Sequence, residues 1–235
     1  MSTAPPSLAQ PAPAAQTARN AEYHGYLQAL LAGDRRGCQD VVEHWLAAGT
    51  HVRVLYEELF RRSLYEVGTQ WEQGRVSVAT EHSATAISEG LLNLVYPALF
   101  NQPRVGLAAV VACSANEYHQ IGGKMVADVF ELHGWRGYFL GANTPLCDLL
   151  ALIREKQPAA VALSLTVHFN FDALLNFISA IRTAFPTVTM LVGGQAFQHA
   201  DQQQLAQFND VHHVASLTDL ETWITARTLA CRPTM

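Results

Sequence analysis

Residues 105–113, VGLAAVVAC, form an uninterrupted apolar run that the polar stretch 114–122, SANEYHQIG, follows directly. Such a run, without polar alternation, is typical of a strand buried on both faces of a parallel sheet. Two further apolar runs lie at 160–166 (AVALSLT) and 188–192 (VTMLV), with helical patterns between them. Strands that alternate with helices predict an α/β, doubly wound parallel sheet of the flavodoxin-like kind, whose ligands bind at the carboxyl ends of the strands.

The remaining elements of this predicted α/β domain, residues 104–230, are shorter. Thr144 and Pro145 suit the start of a helix, as N-cap and first-turn proline. We expect short strands at 138–141 and 213–215, and helices at 121–133, 144–156, 171–185, 202–208 and from 219 onward.

The preceding residues, 21–100, have the periodicity of helices. Apolar side chains recur three and four residues apart in four successive segments, which predicts a four-helix bundle. Ser77 is a favourable N-cap for the fourth helix, and Pro97 is expected to end it. Residues 1–20 contain four prolines and one charged residue, and therefore predict a disordered lead.

Composition narrows the classes of function. The 235 residues are 49% hydrophobic and 15% charged with a net charge of −5, which excludes wholesale disorder. There is no basic cluster for nucleic acid and no apolar run of about eighteen residues for a membrane helix. The four cysteines have no C-x-x-C spacing, so we expect neither disulfides nor zinc, and a cytoplasmic location. No Ser-His-Asp order or phosphate loop is present, so we expect no catalytic residue and no enzyme.

The polar stretch after the first strand carries a candidate metal ligand, His119. One of its ring nitrogens can bind a metal while Glu117 holds the other, which sets the tautomer. The alternative is a hydrophilic loop whose histidine faces water. Gly122 allows a ligand to approach the backbone, and residues 164–166 and 193–194 end the third and fourth strands at the same edge. We expect a slot between these strand ends, open because two positions lack side chains.

The order Glu117-x-His119-x-x-Gly122, then Ser164-Leu165-Thr166, then Gly193-Gly194, resembles the cobalamin-binding domain of corrinoid proteins. The resemblance implies that His119 is the lower ligand of cobalt, in place of the cofactor's own benzimidazole. The displaced nucleotide tail would then enter the slot. Glu117 replaces the commoner Asp and Thr166 the usual Leu, and both keep hydrogen-bonding capacity. The implied cofactor contacts in this domain are Glu117, Tyr118, His119, Gln120, Ile121, Gly122, Ser164, Leu165, Thr166, His168, Gly193 and Gly194. For His168, a plain surface position is the alternative.

A second pattern lies in the helical region, where Trp71 is followed after nine residues by Glu81 and His82. By themselves, a core tryptophan and a partly buried histidine are the simpler interpretation. The spacing and the flanking residues, Val78 among them, resemble the helical cap of CarH-type light-sensing cobalamin regulators. That resemblance implies that Trp71 covers the adenosyl group on the upper face of adenosylcobalamin, with Val78, Glu81 and His82 beside it.

The resemblance implies a cobalamin-dependent light sensor that binds adenosylcobalamin between the cap and the α/β domain. CarH-type regulators place a DNA-reading domain before the cap, where this sequence has only the lead. We therefore expect no direct DNA binding, and a homo-oligomer or a downstream regulatory protein as the output. In the family, a histidine directly after the cap tryptophan can coordinate cobalt after illumination. That position is Glu72 here, which leaves His82 or water as the alternatives.

Two other functions are compatible with these motifs. A methyl-carrying corrinoid protein of a methyltransferase system would share the helical cap and His119, although Trp71, Glu81 and His82 would crowd the face that a methyl donor must reach. The second is a stand-alone photoreceptor that is photocobilin-like or AerR-like. A photocobilin-like protein would bind a bilin such as biliverdin together with cobalamin. No residue pattern in the chain requires a bilin.

Overall fold

The computed structural model describes residues 13–198 and 202–231 of the chain. These residues divide between Leu94 and Val95 into two compact units, which we call the helical unit and the α/β unit. The boundary precedes the predicted one at residues 101–103. It does so because a short helix over residues 96–99 packs on the first long helix of the α/β unit.

The helical unit confirms the four-helix prediction. Its third helix is continuous over residues 52–72 and contains one π turn, Tyr56–Arg61, between two α-helical parts. Ser77 caps the fourth helix as predicted, since its hydroxyl accepts a hydrogen bond from the Thr80 amide at 3.1 Å. The first two helices are α1 (Pro13–Ala32) and α2 (Arg35–Ala47). The α-helical parts of the third are α3 (Val52–Leu55) and α4 (Arg62–Glu72), and the fourth helix is α5 (Val78–Leu91).

The predicted disordered lead is wrong for residues 13–20, which form the first two turns of α1; residues 1–12 lie outside the described residues. All four prolines of this stretch stand at or before Pro13, the first helical position, where proline costs no backbone hydrogen bond. Tertiary contacts then hold the helix. The Arg19 guanidinium lies 3.6 Å from the Glu58 carboxylate and over the Trp45 ring, and Asn20 accepts a hydrogen bond from Arg62.

Replacing Arg19 by alanine is expected to lower the free energy of unfolding by about 0.5–1.5 kcal/mol, because a partly exposed ion pair and a cation–π contact are lost together. Urea unfolding followed by circular dichroism measures the change. Arg35→Ala, at an exposed position, is the control and should stay within about 0.5 kcal/mol of the parent. Equal stabilities of the two variants would mean that the start of α1 is not anchored through Arg19.

The α/β unit contains a five-stranded sheet in which every pairing is parallel and the strand order is β2-β1-β3-β4-β5. The predicted doubly wound sheet is therefore confirmed. Its strands are β1 (Ala108–Cys113), β2 (Arg136–Phe139), β3 (Ala160–Ser164), β4 (Thr189–Gly193) and β5 (Val211–His213). Its helices are α6 (Tyr96–Leu99), α7 (Ile121–Leu132), α8 (Leu146–Lys156), α9 (Phe171–Ala184) and α10 (Leu217–Ala230).

The strand register determines which loops meet at the carboxyl edge. Cys113 of β1 pairs with Ser164 of β3, and Ser164 pairs with Gly193 of β4. The last residues of β1, β3 and β4 are therefore paired with one another, and the loops that follow these three strands begin next to each other at the same edge of the sheet. Beneath them, apolar side chains of β1, β3 and β4 are buried against α8 and α9, as the uninterrupted apolar runs predicted.

Several predicted boundaries are corrected. Pro97 does not end the fourth helix; α5 stops at Leu91, a 3₁₀ turn follows, and Pro97 lies in the first turn of α6, where its missing N–H is not needed. Thr144 is not an N-cap. It is buried, and its hydroxyl donates to the Gly141 carbonyl, while Pro145 occupies the capping position without a side-chain hydrogen bond. The second and fifth strands begin two residues earlier than predicted, and residues 202–207 form a 3₁₀ helix.

A membrane crossing would need a long apolar helix, and none occurs within residues 13–198 and 202–231.

Candidate functional site

The loop that joins β1 to α7 carries His119 at the carboxyl edge of the sheet. The neighbours of β1 are β2 on one side and β3 on the other, so the strand order reverses between β1 and β3, and open α/β sheets bind ligands at such a switch point. The His119 side chain is 55% exposed at this edge, whereas the Glu117 carboxylate beside it is fully buried. An accessible imidazole on a buried acid has the arrangement of a metal ligand with an orienting partner.

Glu117 receives four hydrogen bonds, two on each carboxylate oxygen. Its Oε1 accepts from the His119 ring Nδ1 at 2.6 Å and from the His119 amide at 2.8 Å. Its Oε2 accepts from the Thr166 and Val167 amides at 2.7 and 3.0 Å. The carboxylate therefore joins the loop after β1 to the loop after β3.

Burial acts to raise the pKa of Glu117, but the hydrogen bonds from the His119 ring and from the amides of His119, Val167 and Thr166 lower it below its usual value. The carboxylate stays ionised and holds the proton of His119 on Nδ1. Nε2 is then the imidazole nitrogen that would coordinate a metal.

Cys113, at the end of β1, is hydrogen-bonded to the same loop. Its Sγ donates to the His119 carbonyl at 3.7 Å. Burial, together with the charge of Glu117, raises the pKa of this thiol to about 12, so that it remains a protonated donor.

Neighbouring backbone occupies the space that side chains at Gly193 and Gly194 would fill, which corrects the prediction that the missing side chains open a slot. A Cβ on Gly194, whose φ is +117°, would collide with the Leu165 carbonyl oxygen, and one on Gly193 would lie 2.8 Å from the Val214 carbonyl oxygen. Both glycines therefore permit close backbone packing of β4 against its neighbours. Gly122 is different: its Cβ would meet only the Ser164 hydroxyl, at an ordinary 3.7 Å.

The other predicted contacts of the α/β unit divide by exposure. Ile121, Leu165 and Ser164, the last residue of β3, are buried. Tyr118, Gly122, His168 and Gly194 are exposed, and Gln120, Thr166 and Gly193 are partly buried. The His168 ring stacks on Phe171 with a centroid separation of 5.9 Å.

Two exposed apolar residues of this edge, Val167 and Phe169, were missed by sequence reasoning. Phe169 is 91% exposed, and Val167 lies next to Thr166, whose amide binds Glu117. With the exposed Tyr118, they are apolar side chains on the two loops that Glu117 joins. Their position directly after a strand, at the ligand edge, is the signal that could have found them.

In the helical unit, the predicted cap residues lie at one end of the α4–α5 pair, where the chain turns from one helix to the next. Trp71 is 47% exposed and Val78 is also exposed, so Trp71 is not a core residue. The carboxylate of Glu81 accepts from the Thr85 hydroxyl at 3.0 Å and lies 3.6 Å from the His82 ring. An exposed indole thus stands at the same helix ends as an acid–imidazole pair.

The donor set fits a metal that brings most of its own ligands. In the described part of the chain, no group of three or more His, Cys, Asp or Glu side chains is arranged to hold an ion. A lone exposed imidazole such as that of His119 suits a metal complex that carries its other ligands itself. Close by, the buried Ser114 hydroxyl has no hydrogen-bond partner among the described residues.

Family comparison agrees with this donor set. A model described as "B12 binding domain" matches residues 107–216, and a second with the same description matches residues 22–96. Two separate segments of the chain, one in each unit, therefore match families of B12-binding domains. The first match contains Glu117 and His119, and the second contains Trp71, Glu81 and His82.

Curated relatives are of two kinds, and the chain spans about half of their length. It is 29% identical over 172 residues to the HTH-type transcriptional repressor CarH of Myxococcus xanthus, covering 72% of this chain and 56% of the relative. CarA of the same organism is 38% identical over 129 residues, with 53% and 43% covered. Trimethylamine corrinoid protein 1 of Methanosarcina acetivorans is 25% identical over 134 residues, with 56% and 62% covered. The protein is therefore a CarH-like, cobalamin-binding protein.

The monomethylamine corrinoid protein of Methanosarcina barkeri has the same fold. It superimposes with a TM-score of 0.76 at 12% identity, over 89% of this chain and 99% of that chain.

Proposed function

We propose that this B12-binding protein is a light sensor that binds adenosylcobalamin, with His119 as the lower cobalt ligand and Trp71 over the adenosyl group. The observation that carries the proposal is the exposed Trp71 at the same helix ends as Glu81 and His82, within the 22–96 match. The identities with CarH and CarA support it. Under this proposal the protein is not an enzyme.

Each residue has a separate task. Glu117 holds the His119 proton on Nδ1, so Nε2 is the nitrogen with which His119 would hold the cobalt. Trp71 would shield the upper ligand from water, and the His82 imidazole, 3.6 Å from the Glu81 carboxylate, would lie beside it. When bound, adenosylcobalamin supplies the photochemistry, because visible light breaks its weak cobalt–carbon bond. The change becomes a signal only if self-association or a partner protein distinguishes the dark and light states.

The test is reconstitution with adenosylcobalamin in darkness, followed by absorption spectra and size-exclusion chromatography before and after green light. We expect a spectral change together with altered elution. Free adenosylcobalamin is itself photolabile, so the spectral change alone does not identify a sensor. Tight dark binding with no light-dependent change in elution, even with candidate partners present, would overturn the sensor proposal. A red-absorbing band in protein purified with its native cofactors would identify a bilin as a second chromophore.

Replacing Trp71 by alanine is expected to leave histidine ligation intact and to raise the rate of adenosyl loss in light or darkness by about tenfold, since shielding worth about 1.4 kcal/mol is removed. Absorption followed over time under dim green light measures the rate. Phe100→Ala, which removes a similarly exposed aromatic side chain from the α/β unit, is the control. An unchanged rate would show that Trp71 does not cover the upper face.

A methyl-carrying corrinoid protein is the second candidate, favoured by the trimethylamine corrinoid relative. It would accept a methyl group on the cofactor and deliver it to a partner enzyme. Because Trp71 and His82 would obstruct that partner, Trp71→Ala should then improve methyl transfer. Measured methyl transfer from the reconstituted parent protein would favour this role over light sensing.

A further inference from the structure

The peptide backbone of Asn116 and Glu117, just before the candidate cobalt ligand, is hydrogen-bonded at each of its four polar groups. The Asn116 amide donates to Asn143 Oδ1 at 2.9 Å, and the Asn116 carbonyl accepts from Asn170 Nδ2 at 3.0 Å. The Glu117 amide donates to the Ser114 carbonyl at 3.1 Å, and the Glu117 carbonyl accepts from the Asn143 amide at 2.8 Å.

Three of these four contacts come from two other loops of the carboxyl edge. Asn143 lies between β2 and α8, and Asn170 lies between β3 and α9. The two asparagines therefore form hydrogen bonds to the β1–α7 loop from the loops on opposite sides of β1. We call them the asparagine clamp.

The clamp holds a conformation that a short loop does not favour by itself. Asn116 has φ = +63° and Asn143 has φ = +47°, both in the left-handed region that asparagine tolerates better than most residues. Two left-handed residues that face each other across a gap between loops require mutual support. The reciprocal hydrogen bonds between Asn143 and residues 116–117 supply it.

We propose that Asn143 and Asn170 are positioning residues for cobalt ligation: by fixing the backbone of residues 116–117, they direct the His119 imidazole before cobalamin binds. The inference rests on His119 as the lower ligand and is independent of light sensing. A preordered ligand loop spares the entropy cost of ordering it on binding. Outer-shell partners of metal ligands commonly contribute about 10- to 100-fold in affinity.

The variants are chosen so that one chemical change gives opposite results at the two positions. Asn143→Asp keeps the oxygen that accepts from the Asn116 amide, whereas Asn170→Asp loses the NH₂ that donates to the Asn116 carbonyl. Asn143→Gly deletes the side chain but tolerates positive φ, which alanine would not. Asn170→Ala deletes the second contact at an ordinary backbone conformation.

Binding of hydroxocobalamin is measured by absorption titration of the apoprotein. Asn143→Gly, Asn170→Ala and Asn170→Asp should each weaken it by about tenfold, and Asn143→Asp by less than about threefold. Asn176→Ala, at an exposed asparagine of α9, is the control and should bind as the parent does. Thermal unfolding of each apoprotein verifies folding, and the two positions give independent results if one variant does not fold.

Ligation is read separately from affinity. In the reduced cob(II)alamin complex, electron paramagnetic resonance of protein labelled with ¹⁵N-histidine reports whether a protein imidazole is bound to cobalt. We expect this coupling in the parent and a reduced fraction in the weakened variants. Unchanged affinity and coupling in both Asn143→Gly and Asn170→Ala would overturn the clamp. A parent protein without the coupling would instead overturn His119 as the ligand, and the clamp's role with it.

Discussion

Replacing His119 by alanine is expected to weaken cobalamin binding by at least about 100-fold, since outer-shell partners of metal ligands alone contribute about 10- to 100-fold. The imidazole is the exposed member of a pair whose acid is buried, so the substitution removes the proposed ligand and leaves the Glu117 carboxylate in place. Absorption titration with hydroxocobalamin measures the affinity. The spectrum of any residual complex should lack the features of an imidazole-ligated cobalt.

His133→Ala is the matched control for this experiment. His133 also faces a glutamate, Glu221, at 3.4 Å, but it follows α7 at the end remote from the ligand edge. Its loss should leave affinity and spectrum unchanged. If His119→Ala bound cobalamin with the parent's affinity and spectrum, a different residue would have to supply the lower ligand.

Replacing Glu117 by glutamine is expected to lower the free energy of unfolding by about 2–4 kcal/mol, because buried donors are left without acceptors. Four N–H groups converge on this side chain. A carboxylate accepts from all of them, whereas an amide has one acceptor oxygen and places its own NH₂ against the remaining donors. Chemical denaturation of the apoprotein measures the loss, and Glu155→Gln, an exposed glutamate beside Lys156, is the control.

The same variant should change how stability depends on pH. The pKa of Glu117 is lower in the folded protein than its usual value of 4.5, so its ionised form stabilises the fold above that value. This contribution is lost as the pH falls through the lower, folded pKa. The deficit of Glu117→Gln should therefore be full at neutral pH and shrink in acid. A deficit that stays constant down to acid unfolding would show that the charge of Glu117 is not what stabilises the fold.

Local patterns were sufficient for much of the architecture. The uninterrupted apolar runs at 105–113 and 160–166 predicted buried parallel strands, and the helical periodicity of residues 21–100 predicted the bundle. The Ser77 cap was also predictable, because capping depends on residues three apart in the chain. The start of α1 was not, since Arg19 is anchored by Glu58, which is remote in sequence.

Within the candidate site, the contact between Glu117 and His119 follows from a spacing of two residues in one loop, and the edge at which it lies follows from the alternation of strands and helices. The remaining support depends on long-range strand register. Level ends of β1 and β3 place the Thr166 and Val167 amides against Glu117, and the flanking loops bring Asn143 and Asn170 to Asn116. Residue periodicity encodes which face of an element is buried, but contacts between loops exist only after the sheet has paired. The contact between Glu117 and His119 could therefore be inferred from the chain, whereas the network that holds this pair in place required the folded molecule.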